Sequence, residues 1–152
     1  ATGPQTEYAY LDAGDAGLGV CTVITGSAQC NPASDDNATG LEKLILTFSE
    51  AVSLPSVDFK DANHGTTFTG DLLVENMTSG VFGVFALAAN LDFTSLGKGL
   101  VFAFSIFDPQ NNNDEFYINA LNAEVPVPAA LFLFAPALLG FFGLRRKATL
   151  AA

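Results

Sequence analysis

The sequence contains no tryptophan, one histidine, one methionine, two cysteines and only six basic residues among 152. Binding of nucleic acid requires clustered Lys and Arg side chains to neutralise phosphates, so this shortage excludes nucleic acid as a partner. The stretch between Cys21 and Cys30 holds no further Cys or His, which leaves no zinc ligand set. Exposed aromatic platforms usually hold sugars, so the absence of Trp counts against a strong lectin.

The charges that are present are unevenly distributed. Residues 1–124 contain all 16 acidic residues but only three basic ones, Lys43, Lys60 and Lys98, a net charge of −13. Residues 125–152 contain no acid and three basic residues, a net charge of +3. An acidic surface favours solubility and attracts divalent cations, although a solvated surface without a specific partner would have the same composition.

The two cysteines predict a disulfide between Cys21 and Cys30. The chain begins Ala1-Thr2-Gly3-Pro4, as a mature chain does after a secretory signal peptide is removed, and exported proteins form disulfides. Closing so short a loop stabilises the fold by roughly 2–3 kcal/mol in the chain-entropy description. Two free buried thiols are the alternative.

The stretch 1–124 predicts short β-strands throughout. Leu44, Leu46 and Phe48 alternate with Lys43, Ile45 and Thr47, so one face of that strand should be buried. Pro55 marks an edge or a bulge in the following run. The predicted strands, separated by Gly-, Asp- and Asn-rich turns, are 6–11, 17–24, 41–48, 52–59, 66–74, 81–91, 101–107 and 115–123.

Regular spacing of about eight strands predicts an all-β fold, an antiparallel two-sheet sandwich of the jelly-roll kind. Phenylalanine is abundant, with 14 residues, and we expect several of these rings to fill the space between the sheets. The rings predicted to lie there are Phe68, Phe82, Phe85, Phe93, Phe102, Phe104 and Phe107.

The composition changes at Val125, which predicts a separate C-terminal segment. Residues 125–144 carry no charge, and the basic triplet Arg145-Arg146-Lys147 follows. Pro126 and Pro128 suit an extended start or a first helical turn, so an apolar helix would begin near residue 129 and span about 24 Å to residue 144. That length is marginal for a bilayer, and Pro136 would kink the helix. We therefore divide the chain into an acidic β-domain, 1–124, and a tail, 125–152; a buried core helix is the alternative.

The tail resembles the C-terminal sorting domain of PEP-CTERM proteins in its VPLPA variant. The resemblance rests on the motif Val125-Pro126-Val127-Pro128, the apolar stretch and the basic end, although Val127 replaces both the usual Glu of the family and the Leu of the variant. It implies a Gram-negative surface or biofilm-matrix protein whose tail is held in the inner membrane and processed by an exosortase, with exopolysaccharide as a further partner. The turn-rich body is also similar to the carbohydrate-binding sandwich domains often carried by such proteins.

Loops rich in Asp and Asn predict calcium as a cofactor. Calcium takes six to eight oxygen ligands, and Asp35, Asp36 and Asn37, with Glu42 close in sequence, are the favoured set. Asp61 with Asn63, and the run from Asn111 to Glu115, are weaker candidates. The alternative is ordinary turn chemistry, in which these side chains bind their own backbone.

No catalytic motif is present, so we predict a non-enzymatic protein. There is no G-x-S-x-G elbow, and His64, beside Gly65, is expected to be a turn residue. The favoured function is structural, with copies of the chain assembling into an extracellular filament through their tails. The rings expected to pack there are Phe132, Phe134, Phe141 and Phe142. A calcium-dependent carbohydrate-binding module at the cell surface is the alternative.

Overall fold

The computed structural model describes residues 7–12, 14, 16–110 and 114–125. In this part every pairing between strands is antiparallel, which confirms the all-β prediction. A single turn of 3-10 helix at Thr94–Leu96 interrupts the strands, and the predicted C-terminal helix lies outside the described residues. The strands are β1 (Tyr8–Asp12), β2 (Gly17–Cys21), β3 (Ala38–Thr39), β4 (Lys43–Lys60), β5 (Asp71–Asn76), β6 (Val81–Ala86), β7 (Asn90–Leu91), β8 (Gly99–Ile106) and β9 (Glu115–Glu124).

The strand β4 organises the fold and corrects the sequence prediction. The runs 41–48 and 52–59, predicted as two strands, form one strand of 18 residues. Its first half pairs with β8 and its second half with β9, with register shifts between Thr47 and Val52 and between Ser53 and Ser56. The second shift, a bulge or irregularity, contains Pro55, where the sequence predicted an edge or a bulge. A strand that bends at such shifts can pair with different strands along its two halves.

The strand order is β1-β2-β9-β4-β8-β5-β6, with β3 also paired to β9 and β7 to β4. In the described part, β1 and β6 are therefore the outer strands of this order. The order explains why residues far apart in sequence meet: β9, near the end of the domain, lies between β2 and β4.

A cluster of phenylalanine rings forms the centre of the core. The ring of Phe59 on β4 lies 5.8 Å from that of Phe116, 6.2 Å from that of Phe93 and 6.3 Å from that of Phe104. Phe93 also packs edge to face against Phe85 at 4.9 Å. These geometries are the favourable ones for aromatic pairs. Rings from the β9 side and from the β8 side of β4 thus share one hydrophobic core.

The burial pattern confirms part of the predicted core. Leu44 is buried and Leu46 and Phe48 are partly buried, while Lys43, Ile45 and Thr47 are exposed, as the alternation predicted. Of the seven phenylalanines predicted for the core, Phe82 and Phe107 do not belong there. They are 67% and 43% exposed, because they lie one position out of phase with the inward residues Phe85 and Ile106.

Two further predicted strands are shorter in the structure. The run 66–74 becomes a strand only at Asp71, because the backbone N–H groups of Thr67, Thr69 and Gly70 donate to aspartate side chains instead of to a neighbouring strand. The run 81–91 divides into β6 and the two-residue β7, and these strands pair with different neighbours.

A disulfide joins Cys21 at the end of β2 to Cys30, which confirms the predicted pairing. Both residues are buried, and an isolated antiparallel β-bridge pairs Ile24 with Cys30 inside the loop between them. The bond fixes the loop that leads to Asp35, Asp36 and Asn37.

Candidate functional site

Three loops that are distant in sequence meet around the side chain of Tyr117 on β9. Tyr117 is 1% exposed, and its hydroxyl donates a short hydrogen bond to the carboxylate of Asp36. The ring of His64 packs edge to face against that of Tyr117 with the centroids 5.7 Å apart. Burial, then the hydrogen bond and negative charge of Asp36, raise the pKa of Tyr117 well above its usual value. Tyr117 therefore keeps its proton at physiological pH and acts as a donor.

His64 links this cluster to the turn after β1. Its Nδ1–H donates to the backbone carbonyl of Gly14 at 3.1 Å, and its Nε2 lies 3.3 Å from the carboxylate of Asp12. The backbone N–H of His64 donates to the carbonyl of Asp61, and the residue has a positive φ of 60°. The prediction that His64 is a turn residue is confirmed. It also holds two loops together, which the sequence did not indicate.

The four predicted calcium ligands make separate hydrogen bonds. Asp35 accepts the backbone N–H of Thr22 at 3.2 Å, and Asp36 accepts the hydroxyl of Tyr117. Asn37 is buried and donates to Glu115 at 2.6 Å, while Glu42 accepts the backbone N–H of Thr39 at 2.8 Å. Burial raises the pKa of Glu42 above its usual value, although the bond from Thr39 works against that shift.

These hydrogen bonds do not bring the predicted ligands into one shared coordination site. Within residues 7–12, 14, 16–110 and 114–125, no three His, Cys, Asp or Glu side chains are grouped so as to hold a metal ion. The hydrogen bond from Tyr117 occupies one carboxylate oxygen of Asp36. Calcium binding by this chain stays a prediction.

An open acidic cleft of about 370 Å³ lies beside this cluster. It is lined by Asp61, Ala62, Asn63, Thr67, Asp114 and Glu115. Its wall at Asp61 is a closed turn, since the carboxylate accepts the backbone N–H groups of Asn63, Gly65 and Thr67 at 2.8–3.0 Å. Partial burial acts in the opposite direction, but these three N–H donors lower the pKa of Asp61 below its usual value.

Asp114, which also lines the cleft, bonds the segment before β5. Its carboxylate accepts the backbone N–H of Thr69 at 3.0 Å and the hydroxyl of Thr69 at 3.2 Å, and it also accepts the N–H of Gly70. Asp61 binds its own turn, as the alternative of turn chemistry expected. Asp114 instead bonds a segment 44–45 residues earlier in the chain. Of the third predicted loop, residues 111–113 lie outside the described part.

The sorting motif and the tail lie largely outside the described residues. Val125 is the last residue described, and it is exposed directly after the end of β9. The remaining residues of the predicted sorting motif and tail contact lie beyond it: Pro126, Val127, Pro128, Phe132, Phe134, Phe141, Phe142, Arg145, Arg146 and Lys147. Among the residues that the structure describes, no helix is long and apolar enough to cross a bilayer.

Two residues with central roles were missed by reasoning from sequence. Tyr117 joins the His64 and Asp36 loops, and the only signal for it was its place in the final strand. Asn76, at the end of β5, is fully buried and makes four side-chain hydrogen bonds. Its position before a Thr-Ser-Gly turn indicated a turn but no core role.

Comparisons of the chain with protein-family models, with curated proteins and with solved structures found no match. The functional argument therefore rests on the chain's own residues.

Proposed function

We propose that the chain is an exported, non-catalytic structural protein of the cell surface or biofilm matrix of a Gram-negative bacterium. The observation that carries the proposal is the separation of charge and polarity along the chain. A β-domain of net charge −13 is followed by twenty uncharged residues and then by Arg145-Arg146-Lys147. Strand β9 ends at Glu124, directly before the uncharged run begins.

The finer architecture that we propose is a jelly-roll-like sandwich followed by an apolar C-terminal helix. The change of neighbours along β4 and the ring contacts of Phe59 with Phe104 and Phe116 support two sheets that share one core. The helix is supported by composition alone. Removal of residues 125–152 should reduce the circular dichroism signal at 222 nm by the amount expected for about sixteen helical residues. An unchanged spectrum per molecule would contradict the helix.

The tails are the element that we propose for assembly. Phe132, Phe134, Phe141 and Phe142 would be buried between copies, while the acidic domains face the solvent and repel one another. Exposure of an apolar segment of this length to water is unfavourable in free energy, because burying a Phe side chain contributes about 1.5–3 kcal/mol. Packing against further copies is one way to cover it, and membrane or detergent is another.

Electron microscopy and light scattering of the full chain and of the chain ending at residue 124 test this assembly. The full chain should form filaments after detergent removal, and the shortened chain should remain in small species. A substitution of Phe132 and Phe134 by Ser should prevent filaments without changing the strand signal of the β-domain. Filaments formed by the shortened chain would contradict assembly through the tail.

Sorting by an exosortase is the accompanying proposal, supported by the order of the Pro motif, the apolar stretch and the basic end. Mass spectrometry of the C-terminus of the native surface protein tests it. A mass that ends near Pro128 supports processing, whereas a mass that ends at Ala152 supports retention and a permanent role for the tail.

A calcium-dependent carbohydrate-binding module is the second candidate. The acidic cleft favours it, since Glu115 both lines the cleft and accepts a hydrogen bond from Asn37 of the predicted calcium loop. Calorimetric titration with the exopolysaccharide of the source bacterium, with and without a chelator, separates the two candidates. Heat of binding that the chelator removes supports this module, and no heat with any glycan counts against it.

A further inference from the structure

Strand β6 is an exposed edge with an apolar outer face. The outer face carries Phe82 and Val84, which are 67% and 44% exposed. Within the described residues β6 pairs only with β5. Gly70 and Leu87 follow Asp71↔Ala86 as the next pair between β5 and β6, and the backbone N–H of Leu87 donates to the carbonyl of Gly70. This pair is therefore a hydrogen-bonded one. Because hydrogen-bonded and non-bonded pairs alternate in antiparallel strands, the main-chain groups of Phe82, Val84 and Ala86 point away from β5.

This edge lacks the features that normally prevent edge-to-edge pairing. Natural edge strands are protected by charged side chains, prolines or bulges. Residues 76–91 contain no Asp, Glu, Lys, Arg or Pro, although they belong to a domain of net charge −13. The register of β6 with β5 continues without a shift from Asn76↔Val81 to Asp71↔Ala86.

The inner face of β6 is fixed to the core. The ring of Phe85 packs against that of Phe93, and it also covers Gly83, where a Cβ atom would lie 2.8 Å from the ring. Asn76, at the start of the hairpin, bonds the turn to the chain at Leu96 and Lys98. The edge is therefore held as a regular strand, ready to pair, with little ordering cost on association.

We propose that β6 pairs antiparallel with β6 of a second copy of this chain around a two-fold axis at Gly83. In that register Phe82 lies opposite Val84 of the partner subunit, on the outer face of a sheet that continues through both copies. Aromatic and β-branched residues form favourable cross-strand pairs. The outward main-chain groups of Phe82 and Val84 then bond to each other's strand, so the edge is complementary to itself.

The self-complementary edge selects a second copy as the occupant, and the local absence of charge allows that copy to approach at this position. Strand pairing brings two backbones within about 4.8 Å, and two domains of net charge −13 repel one another. The uncharged stretch 76–91 is the edge at which they can approach with the least repulsion. A two-fold contact closes on itself, so it supplies one of the two contacts that a filament needs. It extends the proposed self-assembly, but it rests on different residues from the tail.

Cysteine cross-linking of the full chain in non-ionic detergent tests the proposal, because detergent covers the tail. Phe82→Cys and Val84→Cys variants are oxidised separately and as an equal mixture. The mixture should give predominantly the mixed cross-linked dimer, and each variant alone should give less. A mixture that yields no more dimer than the separate variants overturns the proposed register.

Sedimentation of charge variants gives an independent measurement. Val84→Lys should raise the dissociation constant of the dimer by about tenfold or more, since two lysines then lie near the axis. Leu41→Lys, at a 90% exposed turn position, adds the same charge and should leave it unchanged. Equal association of Val84→Lys and wild type overturns the interface.

The chain that ends at residue 124 separates the β6 contact from the tail contact. If this chain forms no filaments but still gives the cross-links, both contacts are supported independently. If it gives the cross-links and still forms filaments, only the proposed tail contact is contradicted.

Discussion

Replacement of Asn76 by Ala should lower the free energy of unfolding by more than its place beside an exposed turn indicates. The side chain donates to the carbonyls of Leu96 and Lys98 at 3.0 and 3.1 Å and accepts the N–H groups of Thr78 and Ser79 at 3.1 and 3.3 Å. It is 0% exposed, and it joins the β5–β6 turn to the segment that leads into β8.

The expected magnitude follows from these four bonds. A net contribution of about 1 kcal/mol for each gives about 4 kcal/mol in total. Water can hydrate Thr78, Ser79 and Lys98 after the replacement, because these residues are exposed, so we expect a loss of about 3–4 kcal/mol. For a domain of this size the melting temperature should fall by roughly 10–15 °C.

Urea unfolding of the full chain, followed by far-ultraviolet circular dichroism, measures this loss. Asn90→Ala is the matched control, since the Asn90 amide likewise donates two hydrogen bonds, here to the side chains of Ser56 and Asp58, but is exposed. The control should lose less than about 1 kcal/mol. If Asn76→Ala and Asn90→Ala are destabilised equally, the reasoning that Asn76 holds the hairpin in place is refuted.

Three further changes test other parts of the structure. Substitution of both Cys21 and Cys30 by Ala should lower the unfolding free energy by about 2–3 kcal/mol, measured by urea unfolding against the oxidised wild type. Asp61→Asn should weaken the fall of the unfolding free energy with decreasing pH. The pKa of Asp61 is lowered on folding, so its contribution to stability is complete above the ordinary value of 3.8 and is lost as the pH falls. Identical profiles of wild type and variant from pH 7 to pH 2 would contradict this. Tyr117→Phe should cost about 1–2 kcal/mol at pH 7 through loss of the bond to Asp36. Because the pKa of Tyr117 is raised on folding, the wild type should also lose stability above pH 10, and the variant should lose less.

Local patterns in the sequence were sufficient to predict the class of fold and several burial directions. The alternation from Lys43 to Phe48 predicted the correct buried face because side chains in a strand alternate with a fixed period of two. Pro55 predicted an edge or a bulge because proline cannot donate to the ladder, and a register shift of β4 lies at this residue. The disulfide was predictable because the chain has two cysteines, Cys21 and Cys30, which can form only one disulfide within the chain.

The same patterns failed where the neighbour, and not the local sequence, decides. Phe82 and Phe107 look like core residues by composition, but the register of their strands turns them outward. The two runs in β4 looked like separate strands, because the change of pairing partner from β8 to β9 is a long-range event. The bond between Asp36 and Tyr117 was not predictable either, because Tyr117 lies on a strand 81 residues later in the chain.

The acidic β-rich domain, the disulfide and the change of composition at Val125 could be predicted from the amino-acid order, because charge, turn chemistry and strand periodicity are local properties. The folded chain was needed to show that β4 pairs with both β8 and β9, that Asn76 and Tyr117 connect distant loops, and that β6 is an uncharged apolar edge. These features depend on strand order and register, which arise from contacts between residues far apart in the chain. The tail, which carries the strongest sequence pattern, and the edge at β6, which only strand order reveals, are thus the two surfaces through which copies of this protein are proposed to meet.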